Sequence, residues 1–219
     1  MNNDYYDNVL IITGGSLDIF WAKSYLSQNK FDYLIAADSG LAYVKELNLC
    51  PDFILGDYDS VDLELLNYFK DKDIKTYPKE KDYTDTHLAI ITAIKLMPRK
   101  ITILGGTGTR LDHTLTSIGN LVSLLDLDIE GEIVDPHNKI YLLGEGMTKI
   151  IKKEEQYGDY VSFIPLEKSF TISLKGFYYP LDNYLVNSGL SLTQSNEIVD
   201  DEAVITVHDG IAIVIEARD

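Results

Sequence analysis

Three acidic clusters punctuate the chain: Gly56-Asp57-Tyr58-Asp59-Ser60, Lys81-Asp82-Tyr83-Thr84-Asp85, and Gly105-Gly106-Thr107-Gly108-Thr109-Arg110-Leu111-Asp112-His113. Carboxylates are hard oxygen donors suited to magnesium, and glycines let backbone N–H groups approach phosphate. Gathered at one edge of a sheet, the three clusters would support magnesium-assisted phosphoryl chemistry. Asp57 and Asp59 lie two apart after an apolar run, so continued extended geometry turns both carboxylates to one side, where they could share a metal. The alternative is a turn with Ser60 capping the next helix. Asp82 and Asp85 are three apart, which on a helix gives neighbouring positions on one face, with Lys81 beside them for phosphate. They suit N-cap and first-turn positions equally well, where acidic side chains meet the helix dipole.

The third cluster is the richest. Gly105, Gly106 and Gly108 remove side chains between an apolar run and a helical pattern, and Arg110 adds a charged clamp. The Lys-Ser or Lys-Thr ending of a P-loop is missing, as is a full dinucleotide fingerprint, so a phosphate loop and a structural turn carry equal weight. Thr13-Gly14-Gly15-Ser16 and Asp38-Ser39-Gly40 follow apolar runs of their own and offer two further nucleotide edges or simple turns. His113 suits a nucleotide contact, a cap or local packing. No Gly-x-Ser-x-Gly elbow occurs, and the four histidines lack zinc or triad spacing.

The elements that must position these residues alternate. Residues 9–12, 33–37, 53–55 and 101–104 are near-continuous apolar runs, the pattern of parallel strands covered on both faces. Helical patterns at 17–26, 41–47, 62–69 and 86–97 separate them. Leu111, Leu115, Ile118, Val122 and Leu125 then recur at steps of three or four, on one face of a helix that Asp112 and His113 open. Strand, loop and helix units predict a doubly wound α/β domain, with a mostly parallel sheet and helices on both faces. Its ligands sit at strand carboxyl ends, where the clusters lie. After residue 130 short extended runs at 132–134, 139–143, 160–164, 170–174, 203–207 and 211–215 predict a smaller antiparallel domain. The expected domains are 1–130 and 131–219.

A net charge of −16 argues against a nucleic-acid surface, which needs clustered Lys and Arg, but admits a phosphorylated ligand carried with a divalent cation. No apolar run reaches membrane-spanning length, and the polar start lacks a signal-peptide layout, so a cytoplasmic protein is expected. Cys50, the sole cysteine, cannot form an intrachain disulfide and is expected to be a partly buried structural thiol.

Taken in order, Ala37-Asp38-Ser39-Gly40 and the three acidic clusters resemble the thiamine pyrophosphokinase family. Gly176-Phe177-Tyr178-Tyr179-Pro180-Leu181 and Ser195-Asn196-Glu197 are similar to that family's thiamine-binding β domain, so the resemblance spans nearly the whole chain. It implies a thiamine diphosphokinase converting ATP and thiamine into AMP and thiamine diphosphate, with a C-terminal β-sandwich that binds thiamine and dimerises. It also implies a homodimer whose active sites are shared between subunits. By the resemblance, Asp57, Asp59 and Asp85 hold Mg2+, Asp82 binds the substrate or orients its neighbours, and Asp59 or Asp85 is a candidate proton acceptor. Lys81 and Arg110 balance phosphate charge. Gly14, Gly15, Asp38, Ser39, Gly40, Gly105, Gly106, Gly108, Thr109, Asp112 and His113 form the ATP side, and Ser195 and Asn196 the thiamine side. Some eukaryotic members place a tryptophan against thiamine, but the sole tryptophan here is Trp21, which leaves Tyr178 and Tyr179 as alternatives.

Overall fold

A computed structural model describes residues 6–56, 63–69, 73–76 and 83–219. Asp57, Asp59, Lys81 and Asp82 therefore lie outside the described residues. The chain forms two compact units that part between Pro136 and His137.

The first unit carries strands β1 (Asn8–Ile12), β2 (Tyr33–Ala37), β3 (Phe53–Gly56), β4 (Asp73–Thr76), β5 (Lys100–Leu104) and β6 (Glu130–Val134). They pair in parallel in the order β4-β3-β2-β1-β5-β6. Helices α1 (Ile19–Gln28), α2 (Gly40–Glu46), α3 (Leu63–Tyr68), α4 (Asp85–Ile94), α5 (Leu111–Asn120) and α6 (Val122–Leu125) fill the connections. Val9, Ile11, Ile12, Ile35, Ile101 and Ile103 are fully buried, as strands covered on both faces require. The chain steps outward from β1 to β4, then α4 carries it back across the sheet to β5 and on to β6. Because such crossovers are right-handed almost without exception, travel in the two opposite directions calls for helices on both faces. The reversal lies between β1 and β5, where an open α/β sheet has its crevice.

Local chemistry sets the helix starts. The Asp18 carboxylate accepts from the Trp21 N–H at 2.8 Å, so α1 starts at Ile19, two residues beyond the expected start at residue 17. Thr84 caps α4 by accepting from the His87 N–H at 3.2 Å, making Asp85 the first helical residue. The apolar face read along α5 divides. Ile118 is buried, but Leu111 and Leu115 are 72% and 65% exposed, while Leu121 and Leu124 turn inward. Cys50 is exposed in the loop before β3, contrary to the partly buried role expected of it, because the chain turns its neighbour Pro51 inward there and leaves the thiol outside.

The second unit contains β7 (Asn138–Leu143), β8 (Thr148–Lys152), β9 (Tyr160–Pro165), β10 (Ser169–Lys175), β11 (Leu181–Asn187), β12 (Glu202–Asp209) and β13 (Ala212–Ala217). β13 pairs antiparallel with β7 and β9, and a second antiparallel sheet runs β11-β10-β12-β8. Alternate residues of β10 and β12 are buried, including Phe170, Ile172, Leu174, Ile205 and Val207. They pack with Phe163 and Val214 of the other sheet into one core. This is a sandwich. The units part at residue 136 rather than 130 because β6 pairs in register with β5, Lys100 opposite Glu130. Among the described residues no helix is long and apolar enough to cross a membrane.

Candidate active site

A cavity of about 530 Å³ opens in the first unit at the carboxyl ends of β1 and β5. Two turns form its floor. The Gly15 N–H donates to the Gly105 carbonyl at 2.9 Å and the Ser16 N–H to the Thr107 carbonyl at 2.8 Å, joining the loop after β1 to the loop after β5. No side chain fits between them: a Cβ on Gly15 would stand 2.2 Å from the Gly105 carbonyl oxygen and 2.3 Å from that of Thr107. Gly105 itself has φ 72°, a conformation that favours glycine. The Tyr43 hydroxyl braces the floor by donating to the Gly15 carbonyl at 2.9 Å, and the Thr107 hydroxyl donates to Asp135 at 2.8 Å. The loops are thus held in place by the protein's own bonds.

The walls bring together most of the expected residues. Gly14, Gly15, Asp38 and Asp85 line the cavity, as do Gly105, Gly106, Gly108, Thr109, Arg110 and His113. Asp38 has φ 54°, a left-handed conformation that aspartate tolerates better than most residues and that is enriched at functional sites. Asp85 sits in the first turn of α4, at the positive end of the helix, and the hydroxyls of Thr13 and Thr86 lie 2.9 Å apart between β1 and that turn. Three expected residues stand outside the lining. Ser39 directly precedes α2 without a side-chain capping bond, and Gly40 packs so closely on β1 that a Cβ would lie 2.3 Å from the Ile12 carbonyl oxygen. Asp112 instead grips Arg110, with Nη2–Oδ2 at 2.6 Å and Nε–Oδ1 at 3.2 Å. The Arg110 hydrogen bond holds the Asp112 carboxyl below the usual carboxylate range, and the same bond raises the Arg110 pKa.

Tyr43, Thr86, Thr114 and Ser117 also line the cavity and were not anticipated. Ser117 had a legible signal, lying four residues beyond His113 on one helix, and Thr114 adjoins His113. Tyr43 and Thr86 had none, since their places depend on contacts distant in sequence.

In the second unit Ser195 is exposed with φ 54°, and its N–H donates to the Ser162 hydroxyl at 2.9 Å. Asn196 is buried, with its carboxamide bonded to Tyr179 and Glu197. The Tyr178 and Tyr179 rings meet edge to face at 4.9 Å, each more than 60% exposed.

The chain matches two family models, thiamin pyrophosphokinase catalytic domain over residues 24–133 and thiamin pyrophosphokinase vitamin B1 binding domain over residues 148–212. It is 31% identical over 188 residues to the thiamine pyrophosphokinase of Bacillus subtilis, covering 84% of this chain and 87% of that one. The chain belongs to the thiamine pyrophosphokinase family. The crystal structure of thiamine pyrophosphokinase from Bacillus subtilis superposes with a TM-score of 0.85 at 26% identity, covering 97% of this chain and all of the other. That of Geobacillus thermodenitrificans gives 0.84 at 28% identity, covering 97% and 98%. Within this family frame, the cavity belongs to the part matched as catalytic, although its Thr13 to Ser16 edge precedes the matched range. Ser195, Asn196 and the tyrosine pair fall in the part matched as vitamin B1 binding.

The donor chemistry of the cavity fits a hard divalent cation bound with phosphate. Asp38 and Asp85 line it together with the glycine turns, no cysteine does, and among the described residues no group of three or more His, Cys, Asp or Glu could hold a metal by itself.

Proposed function

We propose that this chain is a thiamine diphosphokinase that transfers the pyrophosphoryl group of ATP to the hydroxyl of thiamine, releasing AMP, with magnesium at its acidic edge. The observation that carries this reading is the convergence of Asp38 and Asp85 with two joined glycine turns in one cavity of the catalytic part. Magnesium would be held by Asp57, Asp59 and Asp85 and would neutralise charge on the phosphate oxygens. Gly14, Gly15, Gly105, Gly106 and Gly108 admit the polyphosphate against the backbone, Thr109 and His113 border the nucleotide, and Asp38 adds a polar edge. Lys81 and Arg110 balance phosphate charge, with Asp112 orienting the Arg110 guanidinium. Asp82 binds the substrate or orients its neighbours.

The thiamine hydroxyl oxygen attacks the β-phosphorus in line as the bond from that phosphorus to the bridging oxygen breaks, and AMP keeps that oxygen. Asp59 or Asp85 accepts the hydroxyl proton. Positioning and charge stabilisation carry the rate, with no covalent enzyme intermediate.

The active form is a homodimer, with thiamine held by the sandwich domain of the partner subunit through Ser195 and the rings of Tyr178 and Tyr179. The exposed Leu111 and Leu115, beside cavity residues Arg110 and His113, support a covered surface here. An aromatic face also suits the positively charged thiazolium ring.

Incubating the purified protein with magnesium, ATP and thiamine tests the reading. Equal amounts of AMP and thiamine diphosphate are expected. ATP binding without either product would point to a nucleotide sensor, and product from another alcohol but not thiamine to a different pyrophosphoryl transferase.

A further inference from the structure

We infer that Asn196 is a positioning residue for thiamine, acting through the Tyr178–Tyr179 turn rather than by touching the substrate. This rests on the thiamine reading above. The Asn196 carboxamide oxygen accepts from the Tyr179 N–H and the Glu197 N–H, both at 3.0 Å, and its Nδ2 donates to the Tyr179 carbonyl at 2.9 Å. An amide oxygen has two lone pairs and an amide nitrogen two hydrogens, so the oxygen is saturated and only one N–H remains. The residue is 3% exposed, which leaves no surface for a ligand. The partners also fix the orientation of the amide, because a flipped group would set N–H against N–H.

The carboxamide closes a chain of bonds that starts in the sandwich core. The Asn196 backbone exchanges two hydrogen bonds with Val161 of β9, at 2.7 and 3.0 Å. The Tyr178 N–H donates to the Glu197 carbonyl at 2.8 Å and the Val199 N–H to the Gly176 carbonyl at 2.9 Å. Gly176, with φ 76°, lets the chain turn out of β10 into this ladder. The Asn196 side chain extends the ladder by one rung, meeting Tyr179 as a backbone peptide would. Its effect is to hold the backbone under two rings that are 63% and 62% exposed. Aromatic side chains displayed on so constrained a turn are pre-organised, which lowers the ordering cost of binding a flat cationic ring.

A double-mutant cycle on the full-length protein tests this, with thiamine as the calorimetric probe and ATP binding as the control. Asn196→Asp keeps the acceptor and replaces the donor with a buried negative oxygen facing the Tyr179 carbonyl. It is expected to weaken thiamine binding by about tenfold or more while ATP binding holds within about twofold. In a Tyr178→Ala/Tyr179→Ala background, adding Asn196→Asp should change the thiamine Kd by less than about twofold. Asn196→Ser, smaller and neutral, serves the same cycle should the aspartate variant fail to fold. An equal loss in both backgrounds would show direct contact and overturn the inference, as would wild-type thiamine affinity in the tyrosine double variant. A wild-type chain that neither binds thiamine nor forms its diphosphate would sink the functional reading itself, a result distinct from both.

Discussion

Arg110 and Asp112 show how a single pair is set by position rather than by spacing. Residues two apart on a helix do not face each other, but Arg110 is the N-cap of α5, outside its helical geometry, and reaches forward to Asp112 in the first turn. Both side chains are well exposed, so the pair serves orientation more than stability. Because the folded-state pKa of Asp112 is depressed, the pair is intact above the ordinary carboxylate range. It is lost only as pH falls through that lowered value. The Asp112 carboxyl, followed by NMR, should titrate below an ordinary exposed aspartate and move upward in Arg110→Ala. An unmoved midpoint would mean that the pair does not form in solution. Any pH dependence of turnover near neutrality must then come from other groups.

Two loops after adjacent strands behave as one element because glycine permits their contact. Gly15→Ala would force a methyl into two backbone carbonyls, which cannot swing aside as a side chain can. It is expected to cost about 1–3 kcal/mol in denaturant unfolding and to weaken ATP binding as the floor opens. Gly119 is the contrast: it lies within α5, and a Cβ there meets nothing within 4 Å. Gly119→Ala should stabilise the chain by about 0.5–1 kcal/mol and leave ATP binding as it was. If both substitutions shift stability alike, the close approach of the two loops is not what distinguishes Gly15. The sequence marks both loops as glycine-bearing turns after apolar runs, yet only the hydrogen bonds from Gly15 and Ser16 to Gly105 and Thr107 reveal which glycine tolerates no side chain.

At the scale of the molecule, the proposed homodimer with shared sites makes a quantitative forecast. On that proposal Asp85→Asn would disable the catalytic side and Tyr178→Ala/Tyr179→Ala the thiamine side, so each variant alone should be nearly inactive. Dissociated and reassembled together, they should recover about one quarter of wild-type activity, since half the dimers are mixed and each mixed dimer holds one intact site. Demonstrated heterodimers without recovery would confine each site to one subunit. Much of the underlying architecture was legible in the sequence. The apolar runs of β1, β2 and β5 commit those segments to a doubly covered parallel sheet whatever surrounds them, because burial is the only favourable place for such near-continuous aliphatic runs. The strands β4, β8 and β11 were not legible: Asp73–Thr76 is short and polar, and Thr148–Lys152 and Leu181–Asn187 carry too little apolar alternation, so neighbouring strands supply the order their own residues do not. Sequence alone determined the alternating elements, the change of pattern after residue 130 and the carboxylate and glycine clusters at strand ends, since these depend on local periodicity and residue chemistry. Tertiary structure alone decided that Leu111 and Leu115 face outward, that the β1 and β5 loops join, and that Asn196 is buried beneath Tyr179. Each of those depends on hydrogen bonds and packing between segments that the chain must first fold to bring together.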